Sequence, residues 1–338
     1  MHEAHHLRDE LELVSICAAL GAARVGGPLS RAERRLLHRA SRWSRPGATT
    51  IEAVRAAVQG GADPLGDFFT ALRPQESRRA TGAFYTPPGI VNAMLVWVLE
   101  HGPDRIVDPG CGSGRFVVAA RRLGFKGELI AVDIDPLATL MTRAHCAAAH
   151  TGRVRVIHGD FLRLALGERR QSRTAVVGNP PYVRHHALST ATKRWARSMG
   201  ARLGVRVSGL AGLHTLFILG AARLAQPGDI GCFITSAEWL DVRYGDAARG
   251  LLAGHLGCVR LDILDPNIAA FGNAMSTAAI VSWEAGNPSG VCVRHVHEIE
   301  ALGTLSGGAT IGRDRLLRSG RWSELLRPAR IHGDLVPL

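Results

Sequence analysis

Arg105-Ile-Val-Asp-Pro-Gly-Cys-Gly-Ser-Gly-Arg-Phe116 is a short apolar run, an acid, and a crowded glycine turn that opens onto a helix. Such a turn lets the backbone approach a bound ligand closely. By itself it suits any nucleotide. Asp108 narrows the choice, because an acid at the strand end repels a pyrophosphate and favours an amine or ammonium. Around this stretch, further apolar runs alternate with helical segments: 129–132, 154–157, 175–177, 230–234, 259–264 and 277–283. Most lead into a loop and then a helix. That alternation predicts an α/β fold, a doubly wound and mainly parallel Rossmann-like sheet of seven strands. In such sheets ligands bind beyond the carboxyl ends of the strands, so the residues after each run carry the chemistry.

After the second run stands Val132-Asp133-Ile134-Asp135-Pro136. Asp133 is placed to accept from two ribose hydroxyls, and Asp135 to cap the next helix. After the third comes Asp160-Phe161. The carboxylate can accept from an adenine amino group while the ring lies on the base; the plain alternative is a helix cap followed by a core phenylalanine. After the fourth comes Gly178-Asn179-Pro180-Pro181-Tyr182, the most specific signal in the chain. Two prolines fix the backbone and remove two donors. The Pro180 carbonyl and the Asn179 side-chain oxygen are then two fixed acceptors, able to take both hydrogens of an exocyclic amino group. Tyr182 offers a face for an extruded base.

Composition sets the outer bounds. The 338 residues are 46% hydrophobic and 21% charged, which supports a sizeable core and argues against disorder. Six scattered cysteines without a C-x-x-C pair read as free thiols in a reducing cytoplasm, with no disulfide framework and no metal site. No apolar stretch approaches the roughly 18 residues of a membrane span. The net charge is +12, almost all of it arginine. Genome bias explains arginine over lysine but not the excess of base over acid, which suits a polyanionic partner. Residues 1–75 read as short helices forming a packing appendage. Ser30-Arg-Ala-Glu33 and Thr49-Thr-Ile-Glu52 both fit a capping box, and Gly60-Gly61 fits a helix end.

From about Gly82 to Trp283 the chain resembles the gamma-class, TaqI-like DNA adenine-N6 methyltransferases. Thr81-Gly-Ala-Phe-Tyr-Thr-Pro87, the glycine loop, Asp133, Asp160-Phe161 and Asn179-Pro-Pro-Tyr182 stand in the family's motif order. The resemblance implies that S-adenosylmethionine is the cofactor. Thr86 would hold its methionine carboxylate, Asp108, Gly110 and Gly112 its methionine end, Asp133 its ribose, and Asp160 with Phe161 its adenine. Asn179, Pro180, Pro181 and Tyr182 would form the catalytic loop, and Phe271 would be a second aromatic on the flipped base. Transfer would be direct and in line, with no metal. The chain departs from the family at Leu213-His214-Thr215, Pro227-Gly228-Asp229 and Ser236. The resemblance makes 76–300 the methyltransferase domain and 301–338 an Arg-rich tail that leads toward a target-recognition domain lying elsewhere, in a partner or a separate unit. Between Val183 and Arg206, Arg184, Lys193, Arg194 and Arg197 form an acid-free basic run, read either as a DNA-facing loop and helix or as a solvated face. Rivals sharing N-P-P-Y are a protein-glutamine and an RNA-adenine methyltransferase; an N4-cytosine enzyme uses the same chemistry, although the family's cytosine members tend to have Ser in place of Asn179, and a non-enzyme rival is a cofactor-binding subunit inactive alone.

Overall fold

A computed structural model describes residues 2–43, 45–72, 86–166, 172–266, 268, 277–303 and 305–323. Four helices come first: α1 His2–Leu20, α2 Arg31–Ala40, α3 Ala48–Gly60 and α4 Pro64–Leu72. Helix α5, Pro88–Glu100, precedes the sheet. Then β1 Arg105–Pro109, α6 Arg115–Arg122, β2 Glu128–Asp133, α7 Pro136–Ala148, β3 Val154–His158 and β4 Thr174–Gly178 wind the first half. The second half holds α8 Thr190–Arg202, α9 Leu213–Leu224, β5 Ile230–Ser236, α10 Asp246–Ala253, β6 Cys258–Leu264 and β7 Ala278–Glu284. Strands β8 Val291–Val296 and β9 Ala309–Ile311 and helix α11 Arg313–Arg318 follow.

The strand order is β3-β2-β1-β4-β5-β7-β6-β8-β9. The first five strands of that order run parallel, and β7 is inserted antiparallel between β5 and β6. All seven apolar runs of the sequence are strands here, and two more strands extend the sheet beyond β6. Side chains alternate between the faces, as the pleat requires. Val107, Ile130 and Val132 join one apolar core with Phe233, Trp239 and Trp283. Their neighbours Ile106, Leu129 and Ala131 join the opposite core under α5 and α6.

Helix α7 is buried on nearly all sides, because the N-terminal helices cover the face turned away from the sheet. Arg143 is fully buried there; its Nε donates to Glu33 at 2.8 Å, and its other nitrogens donate to the carbonyls of Val25, Gly27, Pro28 and Val156. Ser30 and Glu33 form the expected capping box, and Gly61, at φ 101°, ends α3. The second expected box is absent. Helix α3 starts at Ala48 behind Gly47, so Thr49 already lies in the first turn and cannot cap it.

The described part of the Arg-rich tail packs on the sheet. Trp322 is buried with its ring 5.8 Å from Trp239, and its Nε1 donates to Leu316. Strand β9 continues the sheet past residue 300. Among the described residues no helix is long and apolar enough to cross a membrane.

Candidate functional site

The carboxyl ends of β1, β2, β3 and β4 surround a cavity of about 550 Å³. A turn of three glycines lies beneath it, and Gly110 and Gly112 line the wall. Gly110, Gly112 and Gly114 have φ of 70°, 55° and 86°, a region that residues with a Cβ rarely adopt. The turn is pinned from two sides. Asp133 Oδ2 accepts from the Gly112 amide at 2.9 Å, and Thr142 donates to the Gly112 carbonyl. Asp133 Oδ1 accepts from the Asp135 amide at 2.9 Å, while Asp135 caps α7 through the Leu137 amide. Burial pushes the Asp133 carboxyl up to about 6, against the amide bonds of Asp135 and Gly112 that pull it down.

Thr86, Gly110, Gly112, Asp133, Asp160, Phe161, Asn179 and Pro181 all line the one cavity. Asn179 Nδ2 donates to the Thr86 hydroxyl at 3.0 Å. That bond joins the segment before α5 to the loop after β4 and fixes which way the Asn179 amide faces. Asp160 takes both forms foreseen for it. It lines the cavity and also caps a 3-10 turn by accepting from the Leu162 amide at 3.0 Å. Phe161 likewise belongs to the core, 5.1 Å from the Phe217 ring, and still reaches the wall.

Three expected site residues stand behind the wall. Asp108 is buried against Gly178, and neither carboxyl oxygen has a hydrogen-bond partner among the described residues. Burial, with the nearby Asp133, drives its carboxyl well above the ordinary range. Pro180 is buried, and the second proline, Pro181, takes the wall position. Tyr182 is half-buried; its hydroxyl donates to the Ile234 carbonyl at 3.3 Å and its ring stacks 5.8 Å from His214. His214, one of the departures from the family pattern, is buried, and burial pulls its imidazole down to about 4. Phe271 and residues 81–85 lie outside the described residues.

Helix α8 starts at the cavity rim, where Ser189 caps it and Thr192 lines the wall. Its inner face buries Ala196 and Gly200. Arg184, Arg194 and Arg197 are exposed and Lys193 is half-buried. The motif reading missed several wall residues: Phe69 and Thr70 on α4, Ser113 and Arg115 on the glycine loop, and Phe217 on α9. For Ser113 and Arg115, lying within the quoted glycine stretch, the signal was available. For α4 it was not, since nothing local ties it to a loop some forty residues on.

Residues 174–257 match the Eco57I restriction-modification methylase family, and residues 106–200 match a methyltransferase domain family. The type II methyltransferase M.XamI of Xanthomonas campestris pv. amaranthicola is 40% identical over 334 residues, 96% of this chain and 61% of that protein. M.TthHB8I of Thermus thermophilus is 28% identical over 194 residues, 55% of this chain and 42% of that protein. The chain therefore spans less than two thirds of the length of these relatives. Among solved structures, the type IIG restriction endonuclease BpuSI superposes with a TM-score of 0.64 at 18% identity, over 95% of this chain and 44% of that one. A Listeria monocytogenes structure described as a class I S-adenosylmethionine-dependent methyltransferase gives 0.60 at 12% identity, over 87% and 94%. These two share the fold. Over the part of their length that it spans, the chain is homologous to the type II methyltransferases, and its Asn179-Pro-Pro-Tyr182 loop falls inside the segment that matches the Eco57I restriction-modification methylases.

Proposed function

We propose that the chain is the catalytic part of an S-adenosylmethionine-dependent DNA methyltransferase acting on adenine N6, in the manner of a type II modification enzyme. The observation that carries this reading is a single cavity lined by both Asp133 and Asn179, with Thr86, also on its wall, bonded to Asn179.

The residues present fit the cofactor. Asp133 is a carboxylate held in place by two backbone amides, suited to a pair of ribose hydroxyls. Asp108, expected at the methionine end, stands behind the wall as a buried acid under the glycine turn and does not itself line the cavity. Asp160, Phe161 and Phe217 offer an acceptor and two rings to an adenine. When bound, the cofactor supplies an electrophilic methyl group on a sulfonium. The chain's own work is at the acceptor nitrogen. The side-chain oxygen of Asn179 and the Pro180 carbonyl accept from the two amino hydrogens, which localises the nitrogen lone pair. They also meet the positive charge as it develops there, a preorganised electrostatic contribution. Holding both reactants in one hollow removes the entropy cost of their meeting. Tyr182, and Phe271 with it, offset the few kcal/mol that flipping the base out of the duplex costs.

The exposed Arg184, Arg194 and Arg197, with Lys193, form the contact to DNA phosphates at the cavity rim. The reading includes a target-recognition unit, in a partner or a further domain, and a cytoplasmic setting. Labelled methyl transfer from S-adenosylmethionine to DNA, RNA and total protein, followed by nucleoside and amino-acid analysis, tests it. N6-methyladenine in DNA is the expected product. N4-methylcytosine, label in RNA or label on protein glutamine would each overturn the substrate assignment.

A further inference from the structure

We infer that the N-terminal helices are a working part of the cofactor site, with Asp63 the positioning residue through which they act. This rests on the cofactor reading above. Asp63 precedes Pro64 at the start of α4 and is 4% exposed. Its two oxygens face different ways. Oδ1 accepts from the Gly66 amide at 2.9 Å, which is the ordinary work of a helix N-cap. Oδ2 leaves the helix and accepts from the Ser113 hydroxyl and from Arg115, Nη2 at 3.0 Å and Nε at 3.3 Å. Ser113 and Arg115 belong to the glycine turn and the first turn of α6, and both line the cavity.

Arg115 carries the connection onward. Its Nη1 donates to the Thr86 carbonyl at 2.7 Å, and the Thr86 hydroxyl accepts from Asn179. One buried carboxylate thus joins the appendage, the glycine turn, the segment before α5 and, through Thr86, the loop after β4. His145 closes the cluster from α7, its Nδ1 donating to the Ser113 carbonyl at 3.0 Å, with Asp63 3.8 Å away. Gly66 adds a separate sign that the fit is tight. A Cβ there would stand 2.4 Å from Asp63 Oδ2 and 3.0 Å from the Ser113 hydroxyl, so only a glycine lets α4 approach the turn. From the same helix, Phe69 and Thr70 reach the cavity wall.

Asp63→Asn separates the two tasks. Asparagine caps a helix about as well as aspartate, so the Gly66 bond survives. The oxygen facing Ser113 and Arg115 becomes an NH2, which cannot accept. S-adenosylmethionine affinity of the full chain, measured by calorimetry, should fall about ten- to a hundredfold, the scale of lost hydrogen bonds to a charged group. Turnover at saturating cofactor should change far less. Gly66→Ala, which pushes the same carboxylate aside, should weaken binding in the unaltered chain but cost little more once Asp63 is already Asn. If the unaltered chain binds no S-adenosylmethionine, the cofactor reading falls and this inference with it. If it binds and Asp63→Asn binds equally well, or if the Gly66→Ala loss is undiminished in the Asp63→Asn background, only the role of Asp63 is overturned. Should Asp63→Asn fail to fold, Gly66→Ala alone decides, since alanine is the better helix former: undiminished affinity there overturns the proposal.

Discussion

Asp133 shows how a single residue's surroundings set a measurable pH dependence. Burial raises its carboxyl from 3.8 to about 6. For folding, the sign is that of a raised acid: its contribution is full below 3.8 and is lost as pH rises toward 6, because the fold disfavours the charge. For the ligand the sign is opposite, since ribose hydroxyls donate better to a carboxylate than to the neutral acid. S-adenosylmethionine affinity should therefore weaken as pH falls through about 6, and Asp133→Asn should flatten that dependence; calorimetric titrations at several pH values check both. Asn179→Ala should abolish methyl transfer while leaving cofactor affinity nearly intact, because its proposed partner is the target amine. Single-turnover assays beside binding isotherms would show the separation; near wild-type turnover in a folded variant would remove Asn179 from the mechanism. Asp133 and Asn179 were legible because the first ends a strand and the second follows one directly. Asp63 was not. In Gly60-Gly-Ala-Asp-Pro64 it reads only as a helix cap, and a residue's second lone-pair direction leaves no trace in its neighbours.

At the scale of elements, apolar runs of a few residues bounded by turns were enough to find the seven central strands, since strands buried on both faces are written as continuous hydrophobic stretches. Strand β9 escaped because it is Ala309-Thr-Ile311, two of its three residues exposed at the sheet edge. The capping pattern at Thr49 misled because a capping box depends on where the chain bends, and Gly47 bends it two residues earlier. Helix α8 was legible as basic but not as oriented. Its apolar residues now settle which side faces out, placing Arg194 and Arg197 on the solvent side of a helix that begins at the cavity rim. Replacing both with Gln should lower duplex affinity at low salt. The slope of log affinity against log salt should fall by about 0.9 for each phosphate that is no longer neutralised, measured by fluorescence anisotropy across a salt series. An unchanged slope would return these arginines to a merely solvated face.

At the scale of the whole molecule, the buried Arg143–Glu33 pair holds the N-terminal helices to the sheet domain. Removing one partner from a buried pair leaves an unmatched charge, a loss of about 3–5 kcal/mol. Glu33→Ala should accordingly lower the melting temperature far more than Glu52→Ala on the exposed surface of α3, as calorimetry would record. Burial alone would raise Glu33, but the Ser30 amide and Arg143 outweigh it and hold the carboxyl below 4.5. Its stabilisation is present above that value and is lost as pH falls through the depressed range. The pair was not legible beforehand, because its members stand 110 positions apart in the chain and the capping box at Ser30 accounts for Glu33 without Arg143. The same N-terminal region has one further effect. Strand β3 ends the sheet, and its outward amide at Val156 donates to the Gly26 carbonyl at 2.9 Å, so the chain ahead of α2 lies along that border. A bare border of this kind is a template on which other chains can add strands. Cutting away the first seventy or so residues would strip that cover and uncover the apolar side of α7 at once, so the shortened protein should self-associate and precipitate instead of yielding a smaller enzyme.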